Sequence, residues 1–215
     1  MIDDIIGVIG MVKDKFEYFV DVFGGSGRVA ISIPPEWNKS IIYNDIDLRM
    51  YRLIKFLQKE YAEFISKSPA MIPHKKLFEE IKKKIAHTDL ELLYLSLHSF
   101  NGSMENFVTV SDKDRVSLNC SAYKRLTCLN LDFRELFKIF ENYDNVFYYL
   151  DPPYLKEQRY KYGFTLKDFH DLKDLLFNTS NYWLMNHTVD EKIIEIFGAP
   201  NFIKTYKTYA QRGGL

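Results

Sequence analysis

Short apolar runs rich in β-branched and aromatic residues alternate along this chain with longer stretches whose apolar positions recur at helical spacing. The first clear run, residues 17–23, reads as a strand and ends at Gly24-Gly25-Ser26-Gly27. A helical or turn segment from Arg28 stops near Pro34-Pro35, and residues 40–43 read as a second buried strand closing on Asn44-Asp45. Asp47 is a candidate cap for the next helix, in which Met50, Leu53, Ile54, Leu57 and Tyr61 keep helical periodicity. The alternation resumes late in the chain, with strands expected over 126–131, 145–150 and 182–185 and helices over 133–141, 169–177 and 191–197. Strand, glycine turn, helix, strand and acid is how a parallel nucleotide-binding sheet begins.

Residues 66–125 interrupt this pattern. They hold a lysine-rich helical stretch, a second helix over 89–98 and a polar region over 101–124. The expectation is a catalytic domain formed by 1–65 and 126–215, with 66–125 inserted between the two halves of its sheet. The 215 residues, 47% hydrophobic and 16% aromatic, suffice to bury a substantial core, which excludes a disordered chain. Net charge is zero, so a bulk polycation argument for nucleic-acid binding fails. The distribution is uneven, however. Residues 1–47 carry an excess of four acids, and residues 66–87 an excess of four bases that includes Lys82, Lys83 and Lys84. An acidic ligand pocket beside a basic nucleic-acid face fits that asymmetry; so does an ordinary solvated lysine helix. Two cysteines, Cys120 and Cys128, point to a reduced cytoplasmic setting. The five histidines do not cluster with them at ligand spacing, so no metal is expected. Residues 1–11 are apolar but broken by Asp3, Asp4 and two glycines, and no stretch is long enough to span a bilayer.

Two motifs carry the chemistry. Glycines in the 24–27 turn let a backbone approach a ligand closely, and a helix starting at Arg28 points free N–H groups the same way. The run from Gly25 to Ala30 also satisfies the dinucleotide fingerprint, and Asp45 and Asp47 fall where a ribose-binding acid belongs. This motif alone fits a nicotinamide cofactor or S-adenosylmethionine. Asp151-Pro152-Pro153-Tyr154, directly after an apolar strand, favours the second. An exocyclic amino group is a poor nucleophile because its lone pair is delocalised into the ring. A carboxylate and a backbone carbonyl aimed at its hydrogens, here Asp151 and the carbonyl of Pro152, favour the geometry that frees the lone pair. Pro152 and Pro153 stiffen the turn, and the Tyr154 ring offers a flat surface for an extruded base.

With these motifs the chain resembles the Dam-like class of DNA N6-adenine methyltransferases. The resemblance runs over roughly residues 1–200 through 21–27, Asn44-Asp45-Ile46-Asp47, Ser99-Phe100-Asn101-Gly102, Asp132-Phe133 and Asp151-Pro152-Pro153-Tyr154, in that family's order. It implies a Rossmann-like, S-adenosylmethionine-dependent α/β methyltransferase fold with an inserted, mostly helical target-recognition region, acting on double-stranded DNA. By the resemblance Asp21, Phe23, Gly25 and Gly27 line the cofactor and Asp45 holds its ribose. Asp132 and Phe133 contact its adenine, and Asp151 to Tyr154 hold the target base. Phe100 would be the wedge and Asn101 the hydrogen-bonding filler for a flipped base. Asp132 as a helix cap and Phe133 as a core residue are the ordinary alternatives.

The chain departs from the family's pattern at three places. The usual Gly-Gly-Lys segment has no counterpart near Met1, the proline usual after the first acid of the glycine motif is Val22, and Met104-Glu105 stand where an arginine is common. The first departure opens the alternative of a DNA-binding remnant without methyl transfer. The chemistry also admits cytosine N4 or an RNA adenine as acceptor.

Overall fold

Residues that alternate between two buried faces organise the protein around a five-stranded, wholly parallel sheet. The computed structural model describes residues 2–59, 71–99, 102–108, 120–154 and 163–204. The strands are β1 (Tyr18–Asp21), β2 (Ser40–Asn44), β3 (Leu126–Leu129), β4 (Val146–Leu150) and β5 (Tyr182–Met185), in the order β3-β2-β1-β4-β5. In register, Val20 lies opposite Ile42 on one side and Tyr148 on the other. Every residue of β4 is buried, which is why that strand reads as one continuous apolar run.

Successive side chains of a strand point to opposite faces. Phe19, Tyr43, Phe147 and Tyr149 therefore join one buried cluster, and Val20, Ile42, Tyr148 and Leu150 the other. The first face is covered by α1 (Ile2–Gly10), α2 (Arg28–Ser32) and α3 (Leu48–Leu57). Buried residues of α4 (Lys75–Lys82) and α5 (Asp89–Leu97), among them Phe78, Leu92 and Leu93, belong to that same cluster. After the short α6 (Cys120–Tyr123), α7 (Phe133–Ile139) and α8 (Leu166–Asn178) pack on the second face, and α9 (Glu191–Phe197) joins α8 through Phe169.

Side-chain caps fix most helix starts. Asp47 accepts from Arg49 N–H at α3, as the sequence suggests, and Thr88 and Thr165 form capping boxes with Glu91 and Asp168. The Thr165 box starts α8 three residues earlier than apolar periodicity alone indicates. Periodicity misses α1 and the short α6, which falls in the stretch read only as polar. The acids of α1, Asp3 and Asp4, occupy the first turn, where carboxylates complement the free N–H groups, and Ile5 and Ile9 are buried one turn apart. Strand β3 stops at Leu129, short of the expected 131, because side chains take over the pairing. Leu131 N–H donates to Asn44 Oδ1, and Asn130 Nδ2 donates to the carbonyls of Asp45 and Ile46. Among the described residues no helix is long and apolar enough to cross a membrane, and no group of histidine, cysteine or carboxylate side chains is arranged to hold a metal ion.

Candidate ligand site at the carboxyl edge of the sheet

The strand order reverses between β1 and β4, and in open parallel sheets a crevice at such a reversal is where ligands bind. Onto this edge open the glycine turn after β1, Asp45 after β2 and the Asp151 loop after β4.

The glycine turn is tightly bound from beneath. A Cβ at Gly24 would lie 2.2 Å from the Tyr43 ring, and Tyr43 OH donates to the Gly25 carbonyl at 2.6 Å. Gly25 (φ +50) and Gly27 (φ +73) occupy the left-handed region. Gly25 N–H donates to Asp45 Oδ2 at 2.7 Å, and Tyr123 OH donates to the Ser26 carbonyl at 3.2 Å. Space above Gly25 is open, since a Cβ there would meet nothing within 4 Å.

Three carboxylates from three adjacent strands converge here, and each is harder to ionise than an ordinary aspartate. Asp21 is buried, and its carboxyl lies well above the usual range because of burial first, then the negative charges of Asp151 and Asp45. Its Oδ1 has no hydrogen-bond partner among the described residues. Asp45 is raised to about 6 by burial, against the opposing pull of the Asp47 and Gly25 N–H groups. Asp151 is also raised to about 6 by burial, opposed by hydrogen bonds from Asn186 and Tyr154. Asp45 accepts one backbone N–H on each oxygen, so each keeps a lone pair for a hydroxyl donor.

Beside this cluster a cleft of about 80 Å³ is lined by Phe23, Ile46, Asp132, Phe133, Pro153 and Phe164, among others. Phe23, Phe133 and Phe164 meet with ring centroids 5.4–5.8 Å apart, so Phe133 is at once a buried core residue and a wall of the cleft. The Asp132 carboxylate caps α7 through Arg134 N–H and pairs with the Arg134 guanidinium. Arg134 reaches on to Asp168 and Asp171 of α8, tying the two helices together where Asp132 and Asp168 line the cleft.

In the Asp151 loop, Asp151, Pro153 and Tyr154 are half-buried and Pro152 is buried. Tyr154 OH reaches Asp151 Oδ1 at 3.5 Å, and Asn186 Nδ2 donates to the same oxygen at 3.2 Å. Sequence reasoning misses Asn186, Tyr43 and Asn44. Asn44, buried, donates to the carbonyls of Val22 and Leu131 and so pins the ends of β1 and β3. Its place in Asn44-Asp45 was the available signal. Asn186 had none beyond its position after a strand.

Phe100 and Asn101 lie outside the described residues; the flanking Ser99 and Phe107 form an antiparallel bridge. None of the three lysines lines the cleft beside the carboxylate cluster. Lys82 and Lys84 line a wider cleft of about 500 Å³ together with Arg49, Arg52 and His87. Lys82 pairs with the Glu105 carboxylate at 3.2 Å and donates to its carbonyl, and Lys84 pairs with Glu91. Lys83 makes no ion pair among the described residues.

Fold and site together define a class: an α/β protein with an all-parallel sheet flanked by helices, compatible with a Rossmann-like fold. No protein-family model matches the chain, and a comparison with curated proteins returns no match.

Proposed function

We propose that the protein transfers a methyl group from S-adenosylmethionine to the N6 amino group of adenine in double-stranded DNA. The observation that carries this reading is the juxtaposition, at the strand-order reversal, of a glycine turn, the buried Asp21 and half-buried Asp45 carboxylates, and the Asp151-Pro152-Pro153-Tyr154 loop. The residues present suit the cofactor. Asp21 offers an unpartnered buried oxygen to a cation, and Asp45 keeps acceptor capacity for ribose hydroxyls. Phe23, Ile46 and Phe133 form an apolar slot for a flat ring. When bound, S-adenosylmethionine supplies an electrophilic methyl group on a sulfonium.

The chain's own part is to hold and polarise the acceptor. Among the described residues the donors to Asp151 reach Oδ1, which leaves Oδ2 for an amino hydrogen of the target. The Pro152 carbonyl takes the other hydrogen, and the Tyr154 ring stacks on the extruded base, a contact worth about 1–3 kcal/mol. Asp151 orients the amino group without removing a proton beforehand, because the nitrogen becomes acidic only once methylated.

The test supplies isotopically labelled S-adenosylmethionine to the chain with duplex DNA or RNA and analyses the nucleosides by mass spectrometry. Labelled N6-methyladenine from DNA is expected, and none with Asp151→Ala. Label in no nucleoside, or undiminished activity in Asp151→Ala, overturns the reading. Label in N4-methylcytosine or in RNA moves the acceptor.

A further inference from the structure

We infer that Asn186 is a positioning residue: it holds one oxygen of Asp151 so that the other faces the acceptor, while its neighbour His187 sets the plane of the Tyr154 ring. The inference deepens the proposed amino-group methylation and rests on it for its catalytic meaning.

Asn186 directly follows β5, and its N–H donates to the Leu150 carbonyl at 2.8 Å. That bond carries the β4–β5 pairing one residue beyond Met185 and brings the Asn186 side chain level with Asp151. There Nδ2 donates to Asp151 Oδ1 at 3.2 Å, the oxygen that Tyr154 OH also approaches. No described residue donates to Oδ2. A carboxylate only accepts, so the nitrogen end of the Asn186 amide must face it. Two donors converging on one oxygen favour the ionised form of Asp151 and fix the direction of its free oxygen. Burial works against them, raising Asp151 to about 6. Among the described residues, the other titratable groups facing Asp151 are Asp21 on β1 and Tyr149 on β4.

His187 completes the arrangement. Its Nδ1 lies 2.7 Å from the Thr188 carbonyl, which can only accept, so this nitrogen carries the proton. Its Nε2 is buried with no hydrogen-bond partner among the described residues. The imidazole meets the Tyr154 ring edge-on at 4.8 Å and the Phe169 ring at 5.5 Å. The ring proposed to stack on a base is thus held from α8 through the histidine, an arrangement suited to a flat aromatic ligand.

The test compares the full chain with Asn186→Leu, of similar shape without a donor, and Asn186→Ser, which keeps a shorter donor. Carbon-13 NMR follows the Asp151 carboxyl through a pH titration, and methyl transfer is measured over the same range. In Asn186→Leu the Asp151 midpoint is expected to rise from about 6 by roughly one pH unit, the worth of one hydrogen bond to a charged group. The acid limb of kcat should move with it, which alone lowers kcat about 2-fold at pH 7; the lost aim of the free oxygen should bring the fall to about 10–100-fold, with cofactor KM changed less than about 3-fold. Asn186→Ser should recover part of both effects and gives the titration if the leucine variant does not fold. An Asp151 midpoint unchanged in the folded variants overturns the inference, whatever the activity. A shifted midpoint in a chain that methylates nothing supports the arrangement around Asp151 and refutes the proposed reaction instead.

Discussion

Gly24 and Asp151 illustrate opposite residue-scale constraints, one of space and one of charge. At Gly24 any side chain collides with the Tyr43 ring, whose hydroxyl is already committed to the Gly25 carbonyl. Gly24→Ala should therefore cost about 1–3 kcal/mol of stability through overpacking. Truncating the ring as well, in Gly24→Ala with Tyr43→Leu, should return less than Tyr43→Leu alone costs. Thermal or urea denaturation reads both, and an unchanged midpoint for Gly24→Ala would mean that the turn has room the geometry denies. Asp151 behaves differently. In the folded chain it keeps its proton up to about pH 6, whereas the unfolded chain releases it near 3.8. Between those values the folded state binds more protons, so stability falls as pH rises through the window and stays low above it. The ionised carboxylate thus opposes folding at neutral pH, by an amount on the order of 1–3 kcal/mol. Asp151→Asn is expected to stabilise the protein at pH 8, to leave it nearly unchanged at pH 3.5 and to abolish the proposed methyl transfer. A variant less stable than the parent at pH 8 would show that the carboxylate is held by interactions stronger than its burial.

At the scale of elements, the lysines around the end of α4 divide by their partners. Lys82 bridges to Glu105 from the half-buried rim of a cleft, whereas Lys83 has no ion pair among the described residues. If this surface binds DNA, Lys83→Ala should reduce the slope of log K against log salt by about 0.9, the value for one phosphate contact, and leave the melting temperature unchanged. Lys82→Ala should cost about 0.5–1 kcal/mol of stability in addition. Filter binding over a salt series, beside thermal melting, separates the two, and an unaltered slope in both variants moves the DNA surface elsewhere. The elements themselves were largely legible because their signals are local. Every late strand and helix follows apolar runs, and Asp47 caps α3 where expected. Helix α1 was not, because acids in a first turn look like interruptions until the helix direction is known. In the candidate site, Asp45 and Asp151 stand in short motifs that announce themselves. Asn186 does not, since its meaning lies in contacts with Leu150 and Asp151 more than thirty residues away. Asp132 reads equally as a ligand contact or a cap, and in the fold its carboxylate caps α7 and pairs with Arg134 while the residue lines the cleft.

At the scale of the whole molecule, a chain of zero net charge gathers three hard-to-ionise carboxylates at one point of one sheet. Asp21, Asp45 and Asp151 come from three strands that only the order β2-β1-β4 makes neighbours. Such a cluster repels itself when ionised and is relieved by a cation. S-adenosylmethionine carries two positive groups, an ammonium and a sulfonium, and its product S-adenosylhomocysteine keeps only the ammonium. Binding of either should then lower the carboxyl pKa values and release protons near pH 6, and by linkage affinity should rise with pH through that region. The rise should be steeper for S-adenosylmethionine than for the product, since the sulfonium adds a second charge for the cluster to answer. Isothermal titration calorimetry at pH 5, 6 and 7.5, repeated in buffers of different ionisation enthalpy, measures both the affinity and the protons released. Asp21→Asn should flatten the dependence for both ligands, because it removes the carboxyl with a buried, unpartnered oxygen. Equal pH dependence for the two ligands would place the sulfonium away from the carboxylates. Affinity independent of pH would mean that the cluster does not face the proposed cofactor at all, and the strand-order reversal would then have to serve a ligand without positive charge.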